Sequence, residues 1–210
     1  MKKILTGILL SIIALSFSAC SLIPPIDIGQ DPLGLTGKKV EATVNSGAAL
    51  TTQTKTATGS ITASFNNVDK GSAPNPAQIL AKLNIQNTVT IVAADGNYPD
   101  SIAMEVAMNG VLSEPSGTPF TASGKIADIS LTKDAGCTTG AASCTYTVVA
   151  SATPALLTFS GNAISIILGG TEPNEVTVSV ALTVTGLPSD LADGSTITIT
   201  LAGEGASAKL

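Results

Sequence analysis

From residue 38 onward the chain alternates apolar and polar residues with a period of two, the signature of strands that bury one face and solvate the other. The cleanest run is Val176, Val178, Val180, Leu182 and Val184, interleaved with Thr177, Ser179, Ala181, Thr183 and Thr185. The same texture recurs at Val40 to Val44, Ile61 to Phe65, Leu83 to Ala93, Ile102 to Met108, Phe120 to Ile126, Tyr146 to Ala150, Ile164 to Leu168 and Ile197 to Leu201. Between these runs lie turn residues, as in Asp95-Gly96-Asn97-Tyr98-Pro99-Asp100, Glu114-Pro115-Ser116-Gly117, Gly169 to Asn174 and Asp193-Gly194. Gaps this short join antiparallel neighbours, because a parallel crossover needs a dozen residues or more. The expectation is an all-β chain with a single antiparallel domain of about nine or ten strands. It is arranged as a two-sheet sandwich, with a closed meander β-barrel as the alternative. Breaks in phase at Asp128 and at Gly161 to Ala163 suit strands that bend or switch sheets. Asn109-Gly110 reads equally as a hairpin turn or as a bulge within one long strand. Asn75-Pro76 to Lys82 is the one helix candidate, with Asn as N-cap and Pro in the first turn. A transmembrane barrel would need aromatic girdles, and past residue 20 the aromatic residues are Phe65, Tyr98, Phe120, Tyr146 and Phe159.

Composition removes several chemistries. There is no His, which excludes triads, His-ligated metals and imidazole acid-base work. All ten cations are Lys, set against 15 acids, so nothing marks a nucleic-acid footprint. Only 12% of residues are charged and 44% are hydrophobic, the balance of a chain that folds.

The N-terminus carries an address. Met1-Lys2-Lys3 is a short positive region, Ile4 to Phe17 an apolar run, and Ser18-Ala19 a small-residue stretch before Cys20. That is the three-part layout of a secretory signal peptide, with an apolar run too short and too interrupted to span a bilayer. Phe17-Ser18-Ala19-Cys20 resembles the lipobox of bacterial lipoproteins. The resemblance covers the first twenty residues and implies lipid attachment at Cys20, with a diacylglycerol thioether and an N-acyl chain such as palmitate. Two or more acyl chains anchor stably where one binds marginally. Ser21 in place of Asp implies the outer membrane or cell surface. The expected organisation is a signal peptide at 1–19, a lipidated Cys and Pro/Gly-rich tether at 20–37, and the β-domain at 38–210. Removing 1–19 takes away two of the ten Lys and no acid, leaving 8 against 15 and a mature charge of −7. The tether holds Leu22, Ile23, Ile26, Ile28, Leu33 and Leu35, too apolar for a freely solvated linker, so its distal half should pack on the domain.

Cys137 and Cys144 enclose a six-residue segment with Gly140 at its middle. In an exported protein the expected outcome is a disulfide that staples the end of a hairpin, since two thiols without further Cys or His make a poor metal set.

Other constellations are weak. Ser130-Leu131-Thr132-Lys133 has the S-x-x-K spacing of a serine-lysine nucleophile, but on a strand positions three apart face opposite sides. Glu105 shares a polar strand face with Ser101 and Asn109, a setting for paired-carboxylate hydrolysis and more simply a solvated face. Asp95, Asn97 and Asp100, or Asp190 and Asp193, offer oxygen ligands for Ca²⁺ without a complete binding signature. Thr183-Val184-Thr185 and Thr196 to Thr200 would present rows of hydroxyls and methyls, which Thr also does as an ordinary residue of wet strand faces.

The functional expectation is a membrane-anchored, non-enzymatic envelope lipoprotein with a structural or protein-contact role. It has no catalytic residue, no metal and no cofactor. Its partners are the membrane, through the anchor, and an envelope protein, and nucleic acid is not among them. The alternative is a carrier holding a lipid or other apolar ligand inside a barrel or between sheets. Small inward residues such as Ala42, Ala63, Ala93 and Ala150 would leave room for a ligand, or would let two sheets approach closely.

Overall fold

The computed structural model describes residues 26–46, 54–68, 75–113, 119–150, 153–169 and 175–209. The expected signal peptide, Cys20, the first part of the expected tether and the turns at 114–117 and 171–174 lie outside the described residues. Ten strands and one short helix follow in order: β1 (Ile26–Gly29), β2 (Lys39–Asn45), β3 (Thr54–Asn66), β4 (Gln78–Val92), β5 (Ser101–Ser113), β6 (Phe120–Lys133), β7 (Cys144–Ala150), β8 (Ala155–Ser160), α1 (Asn162–Ile167), β9 (Glu175–Pro188) and β10 (Thr196–Lys209).

The domain is the all-β, antiparallel, sandwich-like body that the alternation predicts. Its strands run β1-β10-β2-β3-β9-β5-β6-β7-β4-β8, and a further pairing of β10 with β4 closes eight of them into a hydrogen-bonded ring. The ring is not a meander. The last two strands enter gaps left by earlier ones, β9 between β3 and β5 and β10 between β2 and β4.

Period-two burial follows the sequence. β2 buries Val40, Ala42 and Val44, β5 buries Ile102, Met104, Val106 and Met108, and β8 buries Ala155, Leu157 and Phe159. These inward rows join one continuous apolar core. Each fully buried Leu, Ile or Val contributes roughly 1.5–3 kcal/mol relative to exposure. The outward rows are mostly Thr, Ser, Ala and charged residues, with Ile26, Val92, Val149 and Leu156 exposed among them, whereas a membrane-spanning barrel carries a continuous apolar band outside.

Small residues sit where backbones come close. A Cβ on Gly110 would lie 3.2 Å from Leu157 Cδ1, and one on Gly124 would lie 3.1 Å from the backbone of Leu156. Ala42, Ala63 and Ala93 are buried within the apolar core. At Gly59 backbone comes closest, since an added Cβ would lie 2.1 Å from the Glu41 carbonyl oxygen, where β2 leaves β3.

Four details of the sequence reading differ in the structure. Residues 75–82 form no helix: Gln78 onward is β4, paired with β8 on one side and β10 on the other, and Ala77 N–H donates to the Lys209 carbonyl at 2.7 Å. Two flanking partners and the buried row Ile79, Ala81 and Leu83 override the local capping signal. Ile164 to Leu168 is α1 and its C-cap rather than a strand, with Ala163, Ile164, Ile166 and Ile167 buried. A short apolar run fits either period, and here the helical one prevails. The tether contains a strand, β1, paired with the end of β10. Asn109-Gly110 is neither turn nor bulge, because β5 runs straight through it with Ala122 and Val180 opposite Gly110. The distal tether packs as expected, with Leu33 at 2% and Leu35 at 0% exposure.

Candidate functional site

The outer face of β3, β9, β5 and β6 is built from short side chains. One cross-strand row runs Thr196, Thr43, Thr58, Thr183, Ala107 and Lys125. The next rows run Ser60, Ala181, Asn109 and Ser123, then Thr62, Ser179, Val111 and Thr121. Neighbouring hydroxyls and amides bond to one another: Thr62 and Ser179 share a hydrogen bond at 3.1 Å, and Ser123 Oγ donates to Asn109 Oδ1 at 2.8 Å. Apart from the Lys125–Glu105 pair, the side chains are no longer than Thr or Asn, and joined by such cross-strand bonds they give a flat surface with little rotamer entropy to lose on contact.

The flatness ends at a groove. β6 carries an extra residue at Ala127–Asp128 relative to β5, and β9 bulges at Thr185–Gly186 relative to β3. Asp128 has φ 55° and Gly186 has φ 81°, left-handed conformations that turn the backbone and re-aim the neighbouring side chains. The two bulges flank Glu105 on β5 and open a groove of about 570 Å³ lined by Thr54, Met104, Glu105, Asp128, Ser130 and Thr185, among others. Lys125 pairs with Glu105 Oε2 at 2.5 Å. Both partners are about half exposed, so the pair contributes at most about 1 kcal/mol. With two carboxylates and three hydroxyls, the groove is equipped to hydrogen-bond a polar group. No cluster of three or more metal-ligating side chains occurs among the described residues.

The other sequence candidates are committed to structure. Cys137 and Cys144 form the expected disulfide, with Cα atoms 5.3 Å apart. It closes the loop between β6 and β7, which is zipped to the loop after β4. Gly140 N–H donates to the Gly96 carbonyl at 2.9 Å, Tyr98 OH to the Ala141 carbonyl at 2.8 Å, and Tyr146 OH to the Pro99 carbonyl at 2.7 Å. Tyr146 is fully buried, and burial pushes its phenol up to about 12.

Three of the acidic residues weighed for Ca²⁺ are bonded within the chain. Asp95 accepts from the backbone and side-chain amides of Asn97, which hold its carboxyl below the usual range. Asp100 is bonded to Lys133, and Asp193 accepts from Ser46 and pairs with Lys55; both carboxyls are lowered by those contacts. Lys133 also donates to the Tyr98 carbonyl at 3.0 Å, so the S-x-x-K lysine is a loop tie. Ser130 lines the groove beside Asp128. Cys20 lies outside the described residues. The paired bulges were missed because a bulge leaves only a one-residue phase slip, visible in the sequence at Asp128 and masked at Gly186 by the Thr-rich run around it.

No protein-family model and no curated protein matches the chain. Among solved structures, the chain is similar to a carbohydrate-binding module of the β-sandwich superfamily at 13% identity, covering 86% of this chain and 60% of that one, with a TM-score of 0.24. A carbohydrate-binding module that recognises mannan is similar at 7% identity, covering 88% and 96%, with a TM-score of 0.23. A CocE/NonD family hydrolase from Staphylococcus aureus is similar at 7% identity over 82% and 36%, with a TM-score of 0.26. Likenesses this loose carry no argument about function.

Proposed function

We propose that this chain is a membrane-tethered, non-enzymatic module of a bacterial envelope, held by an acylated Cys20, that works by contact with a neighbouring envelope protein. The observation that carries the contact role is the flat hydroxyl-rich face of β3, β9, β5 and β6, interrupted by the Glu105–Asp128 groove. Such a face meets a flat neighbour at low entropic cost, and the groove supplies a polar recess that fixes register. The continuous packed core favours this reading over a carrier that would hold an apolar ligand inside. The anchor rests on the resemblance at Phe17 to Cys20.

The test is photo-cross-linking in the native host with a short-range cross-linker at Thr62 or Asn109, compared with Glu41 on β2 and Lys209. A discrete adduct specific to the face, lost when Ser179 is replaced by Lys, is the expected result. Equal adducts from all four positions, or none from the face, would overturn the contact role.

A further inference from the structure

We propose that the domain stands on the lipid surface by the end at which β1 begins, with the disulfide-stapled tip and the Glu105–Asp128 groove turned away from the membrane. This rests on the reading that Cys20 is acylated. The strand register sets the geometry. Ile26 pairs with Ala208, Ala208 with Ile79, and Ile79 with Phe159, so β1 starts at the same end of the body as the last residues of β10 and β8 and the first of β4. The opposite end of β4 pairs Ile91 with Cys144 and with Ile197. Twelve strand residues separate Ile79 from Ile91, about 40 Å at 3.3 Å per residue.

Tether length then decides which end is near the lipid. Six residue steps lie between Cys20 and Ile26, and even fully extended they reach at most about 22 Å. No slack is added after Ile26, because the chain that follows is pinned. Gly37 N–H donates to the Leu201 carbonyl, Gly203 N–H to Thr36 Oγ1 and Gly205 N–H to the Gln30 carbonyl. On the side walls Lys55, Lys125 and Lys133 are each paired with a carboxylate, while Lys82 and Lys209 are exposed in the half where β1 begins, Lys82 opposite Leu156 and Lys209 opposite Gln78, on a chain whose acids outnumber its lysines. The groove lies in the distal half, since Thr54 pairs with Pro188 at the end of β9 that leads into the start of β10.

The test places one fluorophore at a time on the full lipidated protein in phosphatidylethanolamine/phosphatidylglycerol vesicles that contain a headgroup-nitroxide lipid. Proximal labels go on Ser160→Cys or Thr158→Cys, and distal labels on Ser189→Cys or Ala94→Cys, all exposed positions. Each labelled protein is checked for strand-dominated circular dichroism, and the second variant of each pair replaces one that misfolds. The expected result is loss of fluorescence at the proximal positions and none at the distal ones. Equal quenching at both ends in protein that floats with the vesicles overturns the orientation and leaves the anchor standing. Protein that fails to float overturns the acyl-anchor reading itself, and the orientation with it. A Gly/Ser insertion of 20 residues between Pro25 and Ile26, adding about 25 Å of coil, should relieve the proximal quenching. Unchanged quenching would show that the tether does not set the orientation.

Discussion

Replacing Tyr146 by Phe should destabilise the domain at neutral pH and stabilise it in strong alkali. The ring is fully buried and its hydroxyl donates to the Pro99 carbonyl at 2.7 Å, tying the loop between β4 and β5 to the start of β7. Loss of that hydrogen bond costs about 1–1.5 kcal/mol. For a body of this size that lowers Tm by about 2–6 °C. The sign reverses with pH because burial raises the folded-state phenol to about 12 from an ordinary value of 10.0. Below pH 10 the phenol is protonated in both states and its stabilisation is complete. Above pH 10 the unfolded chain releases the proton first, so stability falls by about 1.4 kcal/mol per pH unit until the folded phenol also ionises. That loss offsets the hydrogen bond near about pH 11, where the two stability curves should cross. Urea unfolding followed by circular dichroism from pH 8 to pH 11.5, on freshly raised samples, measures both curves. A constant offset between the two proteins across this range would refute the reasoning.

Three further outcomes are expected. Gly59→Ala should cost more than about 3 kcal/mol or abolish folding, because its Cβ meets backbone that cannot swing aside, whereas Gly136→Ala, with open space around it, should cost far less; comparable urea midpoints would contradict the close approach of β2. Removing the disulfide by Cys137→Ser with Cys144→Ala should lower stability by about 2.5 kcal/mol on the loop-entropy estimate, with hydrogen exchange rising first at residues 134–143; unchanged exchange there would contradict its role as a staple. Lys133→Gln should flatten the acid limb of the stability curve. The depressed Asp100 carboxyl contributes stability that is present above its ordinary value of 3.8 and lost as pH falls through the lower folded value. An acid limb unchanged from wild type, measured by urea midpoints between pH 5 and pH 2, would show that the pair contributes nothing.

What the sequence made legible was the part controlled by side-chain period. Val176 to Thr185, Ile102 to Met108 and Ile197 to Leu201 each announce a strand because one face must be apolar and the other wet; Val178 to Val184, Ile102 to Met108 and Ile197 to Leu201 bury their apolar rows, and the alternate residues are half-buried or exposed. Asn75-Pro76 misled because a capping signal is local, while β4 is fixed by partners 78 and 129 residues further along, Leu80 opposite Thr158 and Ile79 opposite Ala208. Ile164 to Leu168 misled because five apolar-rich residues satisfy both periods. The order of strands was not legible either, since nothing in the texture of β9 or β10 names the gap each fills. The groove followed the same rule: Glu105 and Asp128 were visible as acids, but their convergence depends on two bulges in strands that are not neighbours in sequence.

Intact-mass analysis of the protein purified from its native envelope tests the central claim most directly. The account predicts a chain beginning at Cys20 that carries diacylglycerol and an N-linked acyl group and leaves the membrane fraction when Cys20 is replaced by Ser. A chain that retains Met1, bears an unmodified thiol at residue 20 and is found in the soluble fraction would contradict it.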